Sequence, residues 1–156
     1  MLTLRTYGTW LHGDVLGAVD DEHNVYKTPR LENDPQRAGW KRGRMRSEPL
    51  VFDAIMRGIT EQAIRDECRF RNWELVELAV RTNHVHMVIA YAQITPEEMT
   101  RLIKSQVTRA LRRAGLVGEH RPVWASKIGS RKYLWTDQDM AGAVLYVHDY
   151  QDEVKK

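Results

Sequence analysis

Apolar positions along this chain change period several times, and each change marks an element. Leu2 to Leu11 is rich in Thr, Tyr, Leu and Trp and predicts a first strand, which His12-Gly13-Asp14 ends. From Asp14 to Pro49 the pattern is polar and irregular and holds Pro29, Pro35 and Pro49, so residues 14–49 read as one long loop. Periodicity returns at Leu50 to Arg71, where Ile55, Ile59, Ala63, Ile64 and Cys68 fall near helical spacing. Trp73 to Arg81, with Leu75, Val76, Leu78 and Val80, and Asn83 to Tyr91 then read as two strands. The short link Arg81-Thr82-Asn83 makes them a hairpin. Thr95-Pro96-Glu97-Glu98 opens a helix, with Thr95 as cap, Pro96 in the first helical position and Glu98 completing a capping box. Its stripe is Met99, Leu102, Ile103, Val107, Ala110 and Leu111; Lys104 and Arg109 lie off the stripe, toward solvent or nucleic acid, and Ala114-Gly115 stops it after Arg113. A short β-like piece, Lys132-Tyr133-Leu134-Trp135, precedes a last helix opened by Thr136, with Met140, Ala143, Val144 and Val147 on one side.

The predicted order is β-α-β-β-α-β-α. Two helices packed on one face of an antiparallel sheet make an α+β, ferredoxin-like (RRM-like) layer. The expectation is one domain over residues 1–156, with the 83–91 strand central and the last helix approaching the open face or edge.

Composition narrows the class. The chain has 156 residues, 42% hydrophobic and 29% charged, which is a globular balance. No apolar run reaches the length of a membrane span, and Met1 to Tyr7 resembles neither a signal nor a transit peptide. The single cysteine, Cys68, allows no internal disulfide, fits a reducing cytoplasm and reads as a small core residue. A net charge of +3 permits an anionic partner without demanding one. The basic residues cluster at Lys41 to Arg46, at Lys104, Arg109, Arg112 and Arg113, and at Lys127, Arg131 and Lys132. Each cluster alone is a solvated surface; three together suggest a basic face.

The candidate chemistry lies in Asn83-His84-Val85-His86-Met87-Val88-Ile89. Residues i and i+2 of a strand share a face, so His84 and His86 project side by side while Val85 and Met87 turn to the core. Two such imidazoles are ready metal ligands; the bland alternative is a polar pair on an exposed sheet face. His12, His23, His120 and His148 are weaker ligands by position. In the last helix, Tyr146 and Tyr150 are i,i+4 neighbours, which by spacing alone reads as packing.

Three segments together resemble the HUH single-tyrosine (Y1) transposases, the IS200/IS605-like group, close to the REP-associated tyrosine transposases. They are Thr6 to Asp14, Arg81 to His86, and Gly129 to Trp135 followed by the helix bearing Tyr146 and Gln151. The resemblance implies that His84 and His86 are metal ligands and that Tyr146 is the nucleophile. A polar residue shortly after the tyrosine is commonly the third ligand. Here the sequence departs: Tyr150 stands four positions on and Gln151 five, and five helical steps rotate about 140° against about 40° for four. Gln151 is the expected third ligand, with Asp149 and His148 as weaker substitutes.

The implied activity is cleavage and rejoining of single-stranded DNA through a 5′-phosphotyrosine, with Mg²⁺ or Mn²⁺ as the divalent ion. A free tyrosine, with a pKa near ~10, is a poor nucleophile at neutral pH, so the ion polarises the phosphate and favours the phenolate. The implied partner is single-stranded DNA with hairpin ends, in a prokaryotic cytoplasm at the nucleoid. Phosphates would be met by Arg5, Lys104, Arg109, Lys127, Arg131 and Lys132. Tyr7, Trp10, Trp124 and Trp135 would stack on unpaired bases, although each tryptophan taken singly reads as a packing residue. Lys41 to Arg46 would grip a hairpin stem. An exposed sheet edge permits a homodimer, and family members are known in both states. The alternatives are a domesticated or inactive single-strand or hairpin-binding module of the same fold, and a small-phosphoester hydrolase, for which acidic ligands are missing.

Overall fold

Among the described residues, four strands and three helices follow one another in the predicted order β-α-β-β-α-β-α. The computed structural model describes residues 1–9, 40, 43–91, 93–126 and 129–149. The elements are β1 Leu2–Arg5, α1 Ala54–Phe70, β2 Glu74–Val80, β3 His84–Tyr91, α2 Pro96–Arg113, β4 Ser130–Arg131 and α3 Asp137–Asp149. The sheet order is β2-β3-β1-β4, and every pairing is antiparallel. This is the ferredoxin-like α+β arrangement, with β3 and β1 in the centre.

Alternation along the central strands separates the two faces. Leu2, Leu4, Val85 and Met87 point to one side, where Ile64, Ile103, Val107 and Leu111 of α1 and α2 cover them. Leu4, Val85 and Met87 lose all exposure there. Val88, the next residue on the opposite face, meets Ala143 and Val147 of α3 in a second, smaller cluster flanked by Met1, Ala79, Leu134 and Met140. The last helix therefore lies on the face opposite α1 and α2, over β2 and β3.

Local signals set the helix ends. Asp53 caps α1 by accepting the Met56 amide (2.8 Å), so the helix starts later than the Leu50 expected. Leu50 and Phe52 precede it as extended core residues, and Ile55, expected on the buried stripe, is exposed. The buried side is Thr60, Ala63, Ile64, Glu67 and Cys68. Burial pushes the Cys68 thiol up to about 11, in keeping with an inert core residue. Thr95 caps α2 through the Glu98 amide (3.2 Å), and Gly115, at φ +72°, turns the chain away beyond its end.

Two strand expectations are corrected. The first strand ends at Arg5: Thr6 makes an isolated bridge to Trp124, and Gly8 turns at φ +73°. The last strand is Ser130–Arg131 rather than Lys132 to Trp135. Lys132 still donates its amide to the Met1 carbonyl (2.9 Å), but with Arg131 opposite Leu2 the register has passed β1, and the next residues lead to α3 with Leu134 packed on the second cluster. Most of the expected 14–49 loop lies outside the described residues; the segment from 45 to 53 has no helix or strand.

Candidate functional site

The hairpin delivers the histidine pair. Arg81 donates its amide to the His84 carbonyl (2.9 Å), closing the turn, and β1 pairs Arg5 with His84 and Thr3 with His86. Thr3, Arg5, His84 and His86 therefore share the face opposite the main core. The start of β3 is fixed further by the Thr6 hydroxyl, which donates to the Asn83 carbonyl (3.0 Å). The imidazoles of His84 and His86 lie edge to face with centroids 4.7 Å apart.

Each ring is oriented by its Nδ1. His84 Nδ1 lies 2.7 Å from Asn83 Oδ1, an acceptor, so this nitrogen carries a proton, and in the neutral ring Nε2 holds the lone pair. His86 Nδ1 lies 2.8 Å from the Thr3 hydroxyl. When Nδ1–H donates to that hydroxyl, Nε2 of His86 likewise presents its lone pair. This outer hydrogen bonding is the pattern that orients ligating histidines. His86 is only 8% exposed. Burial first, then the charges of His84, Arg5 and Arg81, hold its pKa down to about 3, so the ring is neutral at physiological pH. A buried, neutral imidazole suits coordination of a cation.

Helix α3 brings the tyrosine. The Thr136 hydroxyl accepts the Asp139 amide (3.1 Å), and the Asp139 carboxylate accepts the amides of Trp135 and Thr136 (3.2 Å each), a reciprocal cap that pins where the helix begins. Hydrogen bonding to the caps lowers the Asp139 pKa. Ala143 and Val147 anchor the helix on Val88, and Tyr146 then comes over His86 with ring centroids 5.7 Å apart. Tyr146 remains 46% exposed, so it is not a core packing residue. The strand histidines and the helical tyrosine, 60 residues apart or more in sequence, thus meet at one place.

The donor set fits a divalent ion in part. Two imidazole nitrogens are assembled, and no group of three His, Cys, Asp or Glu that could hold a metal occurs among the described residues. Gln151 and Tyr150, and the side chain of Asp149, lie outside the described residues; His148 is exposed in the last turn of α3.

The other predicted contacts divide. Arg5 stands on the site face, close enough to depress the His86 pKa. Its strand is approached closely by Gly129, whose amide donates to the Thr3 carbonyl (3.0 Å); a Cβ there would come within 2.6 Å of that oxygen and 3.2 Å of Arg5 Cγ. Arg131 pairs with Glu97, and Lys132 is exposed. The Tyr7 hydroxyl accepts the Arg46 amide (3.0 Å).

Lys104 and Arg109 belong to α2, across the sheet from the histidines. Lys104 does not face solvent: it is half-buried, its Nζ donates to the Ala125 carbonyl (2.7 Å), and burial lowers its pKa to about 8. Trp124 is also used internally, edge-on to Phe52 (5.7 Å) with Nε1 donating to the Lys104 carbonyl (3.1 Å). Trp10 and Lys127, and Lys41 and Arg42 of the first basic cluster, lie outside the described residues; Arg44 stacks on Trp40 at 4.1 Å.

Thr3, Arg81 and Asn83 join the site without having been expected there from the sequence. The signal for Thr3 was its i, i+2 relation to Arg5 on a strand beside the histidines; for Arg81 and Asn83 it was adjacency to the motif.

The family described as "Transposase IS200 like" matches residues 45–150, a span that includes the histidine pair and Tyr146. No curated protein and no solved structure matches the chain. Since the matched span exceeds half of the 156 residues and takes in the helix that bears Tyr146, the chain belongs to the IS200-like transposase family.

Proposed function

We propose that the protein cleaves and rejoins single-stranded DNA, with Tyr146 as nucleophile and His84 and His86 holding a divalent ion. One observation carries the reading: an exposed tyrosine on α3 is set 5.7 Å from a buried, neutral histidine of the pair.

In the cleavage step, the Tyr146 oxygen bonds to phosphorus of a backbone phosphodiester and loses its proton. The bond from phosphorus to the 3′ oxygen breaks, and that oxygen leaves with the electron pair and takes up a proton as a 3′-hydroxyl. The 5′-phosphotyrosine conserves the phosphodiester energy, so attack by another 3′-hydroxyl rejoins strands without ATP. A bound divalent ion would supply polarisation of the scissile phosphate. Two nitrogen donors suit Mn²⁺ better than Mg²⁺, which prefers oxygen, and an oxygen ligand such as Gln151 would make either acceptable. Asn83 and Thr3 hold the two imidazoles in register for that ion. Arg5 and Arg81 put positive charge beside the pair, where a phosphate would enter. Hairpin-ended substrates and kinship with the REP-associated branch belong to the same reading.

The test is covalent trapping on denaturing gels, using labelled single strands from the ends of the protein's own locus. An adduct is expected with Mn²⁺ and none with EDTA or with Tyr146→Phe, whose melting temperature should match the wild type. An adduct that survives Tyr146→Phe would overturn the assignment.

A further inference from the structure

The connection from β4 to α3 carries a feature that the cleavage chemistry does not use. Tyr133 and Trp135 stack on each other, with centroids 5.6 Å apart and planes 22° apart, and both stay exposed, at 55% and 83%. These rings cover no core. Yet the backbone that bears them is held at both ends: Lys132 donates its amide to Met1, and Trp135 donates its amide to Asp139. The result is a rigid aromatic surface rather than a loose tail.

We infer that Tyr133 and Trp135 form a stacking platform for unpaired bases of a single-stranded DNA, at the end of α3 remote from Tyr146. The inference rests on the reading that the substrate is a single strand, and it adds where that strand is gripped. Base faces are available to flat side chains only when the strand is unpaired, and aromatic stacking is the sequence-tolerant way to hold it.

Charge agrees. Residues 129–135 contain Arg131 and Lys132 and no acid. Of the neighbouring carboxylates, Asp139 caps the helix, and Glu97 pairs with Arg131 in a contact half-exposed on both sides, which a phosphate can replace; Asp137 is exposed in the first turn of α3 and sets the side from which a phosphate would not approach. Beside Tyr133 opens a cleft of about 220 Å³, which Arg131, Lys132, Leu134 and Met140 also line. It is smaller than the ~300–1,000 Å³ of sites for drug-sized ligands, which suits one ring-sized group.

The spacing is useful to the reaction. Met140, near the start of α3, lines the cleft with Ile89 and Ala90 at the end of β3, whereas Tyr146 lies over His86 near the strand's beginning. From Asp137 to Tyr146 the helix rises about 13.5 Å, the length of about four stacked nucleotides at ~3.4 Å each. A strand held on the platform would present a phosphate a few nucleotides away to the tyrosine.

Fluorescence anisotropy with short labelled single strands tests this in the full chain, carrying Tyr146→Phe to prevent turnover. Trp135→Ala and Tyr133→Ala should each weaken binding about tenfold, and Trp135→Phe should restore most of it. Duplex binding should not change. Moving an abasic site along the strand should find a position that weakens the parent by a similar factor and leaves Trp135→Ala unaffected. The platform is overturned if both alanine variants bind as the parent does, or lose single strand and duplex alike. It is also overturned if Trp135→Ala turns a dimer into a monomer with strand affinity intact, since the rings would then meet a second copy. The two readings part cleanly. Unchanged binding by both alanine variants beside a Tyr146-dependent adduct removes the platform and leaves the nickase. Ring-dependent binding without any adduct keeps the platform and removes the nickase. No strand binding by the parent sinks both.

Discussion

On one face of the sheet, Leu2, Leu4, Val85 and Met87 vanish beneath α1 and α2. On the other, the intervening residues Thr3, Arg5, His84 and His86 stand beside a patch that, among the described residues, has three buried apolar side chains, Val88, Ala143 and Val147. The same two strands build both surfaces, one residue out of step. The first face is specified by volume and apolar area, with many partners sharing each side chain. The second is specified by a few hydrogen bonds and one short apolar seam that carries the tyrosine helix. The main core and the candidate site are thus divided across a single sheet, and damage to one side should read out differently from damage to the other.

The largest expected effect is on the covered face. Met87→Ala removes a side chain with no exposure and should cost about 2–5 kcal/mol in urea unfolding, a sizeable share of the ~5–15 kcal/mol that a domain has. Activity should fall only as the folded fraction falls.

Acid should find the other face. The unfolded chain takes up a proton on His86 near pH ~6.5, whereas the folded pKa is about 3, through burial first and then His84, Arg5 and Arg81. A depressed histidine pKa means that stability is complete above pH ~6.5 and is lost as pH falls toward 3. The loss from this group should be about 2 kcal/mol between pH 8 and 5, measured in EDTA. In His86→Asn that part of the slope should vanish; an unchanged slope would mean that another group titrates.

A smaller loss is expected at the seam. Val147→Ala should cost about 1–2 kcal/mol, and hydrogen exchange should quicken in α3 while α1 and α2 keep their protection. Uniform quickening in all three helices would show that the faces unfold as one unit. The finest test is Thr3→Val, which keeps shape and removes the hydroxyl at His86 Nδ1. Calorimetric Mn²⁺ affinity should drop about tenfold, and imidazole ¹⁵N shifts should report a mixed tautomer. Unaltered affinity and shifts would remove Thr3 from the positioning of His86.

Legibility followed the same division. Period-two alternation through Val85 and Met87, helical spacing through Ile103, Val107 and Leu111, and the Thr95 cap made the ferredoxin-like layer readable, because each signal is local and repeated. Errors arose where a local signal was outvoted. Ile55 is four residues before Ile59 but lies off the side of α1 that Met56, Thr60 and Ala63 turn to the core, and Lys132 to Trp135 have strand-like residues but run past the end of β1, whose Leu2 is already opposite Arg131. Lys104 shows a third kind of miss. A long cationic side chain off an apolar stripe reads as solvent-facing, but the Ala125 carbonyl was in reach and Trp124 closed over the same turn.

The candidate site was legible as residue types and not as an assembly. By itself the sequence determined the element order, the partition of His84 and His86 away from Val85 and Met87, and the helix that carries Tyr146, since these depend on backbone period and capping within a few residues. Only the tertiary structure decided that α3 returns across β3 to set Tyr146 beside His86, that Thr3 and Asn83 orient the two rings, and that Trp124 is used inside while Trp135 is left outside. Those outcomes depend on contacts between segments far apart in the chain, whose geometry is settled by which surfaces are already covered when they meet.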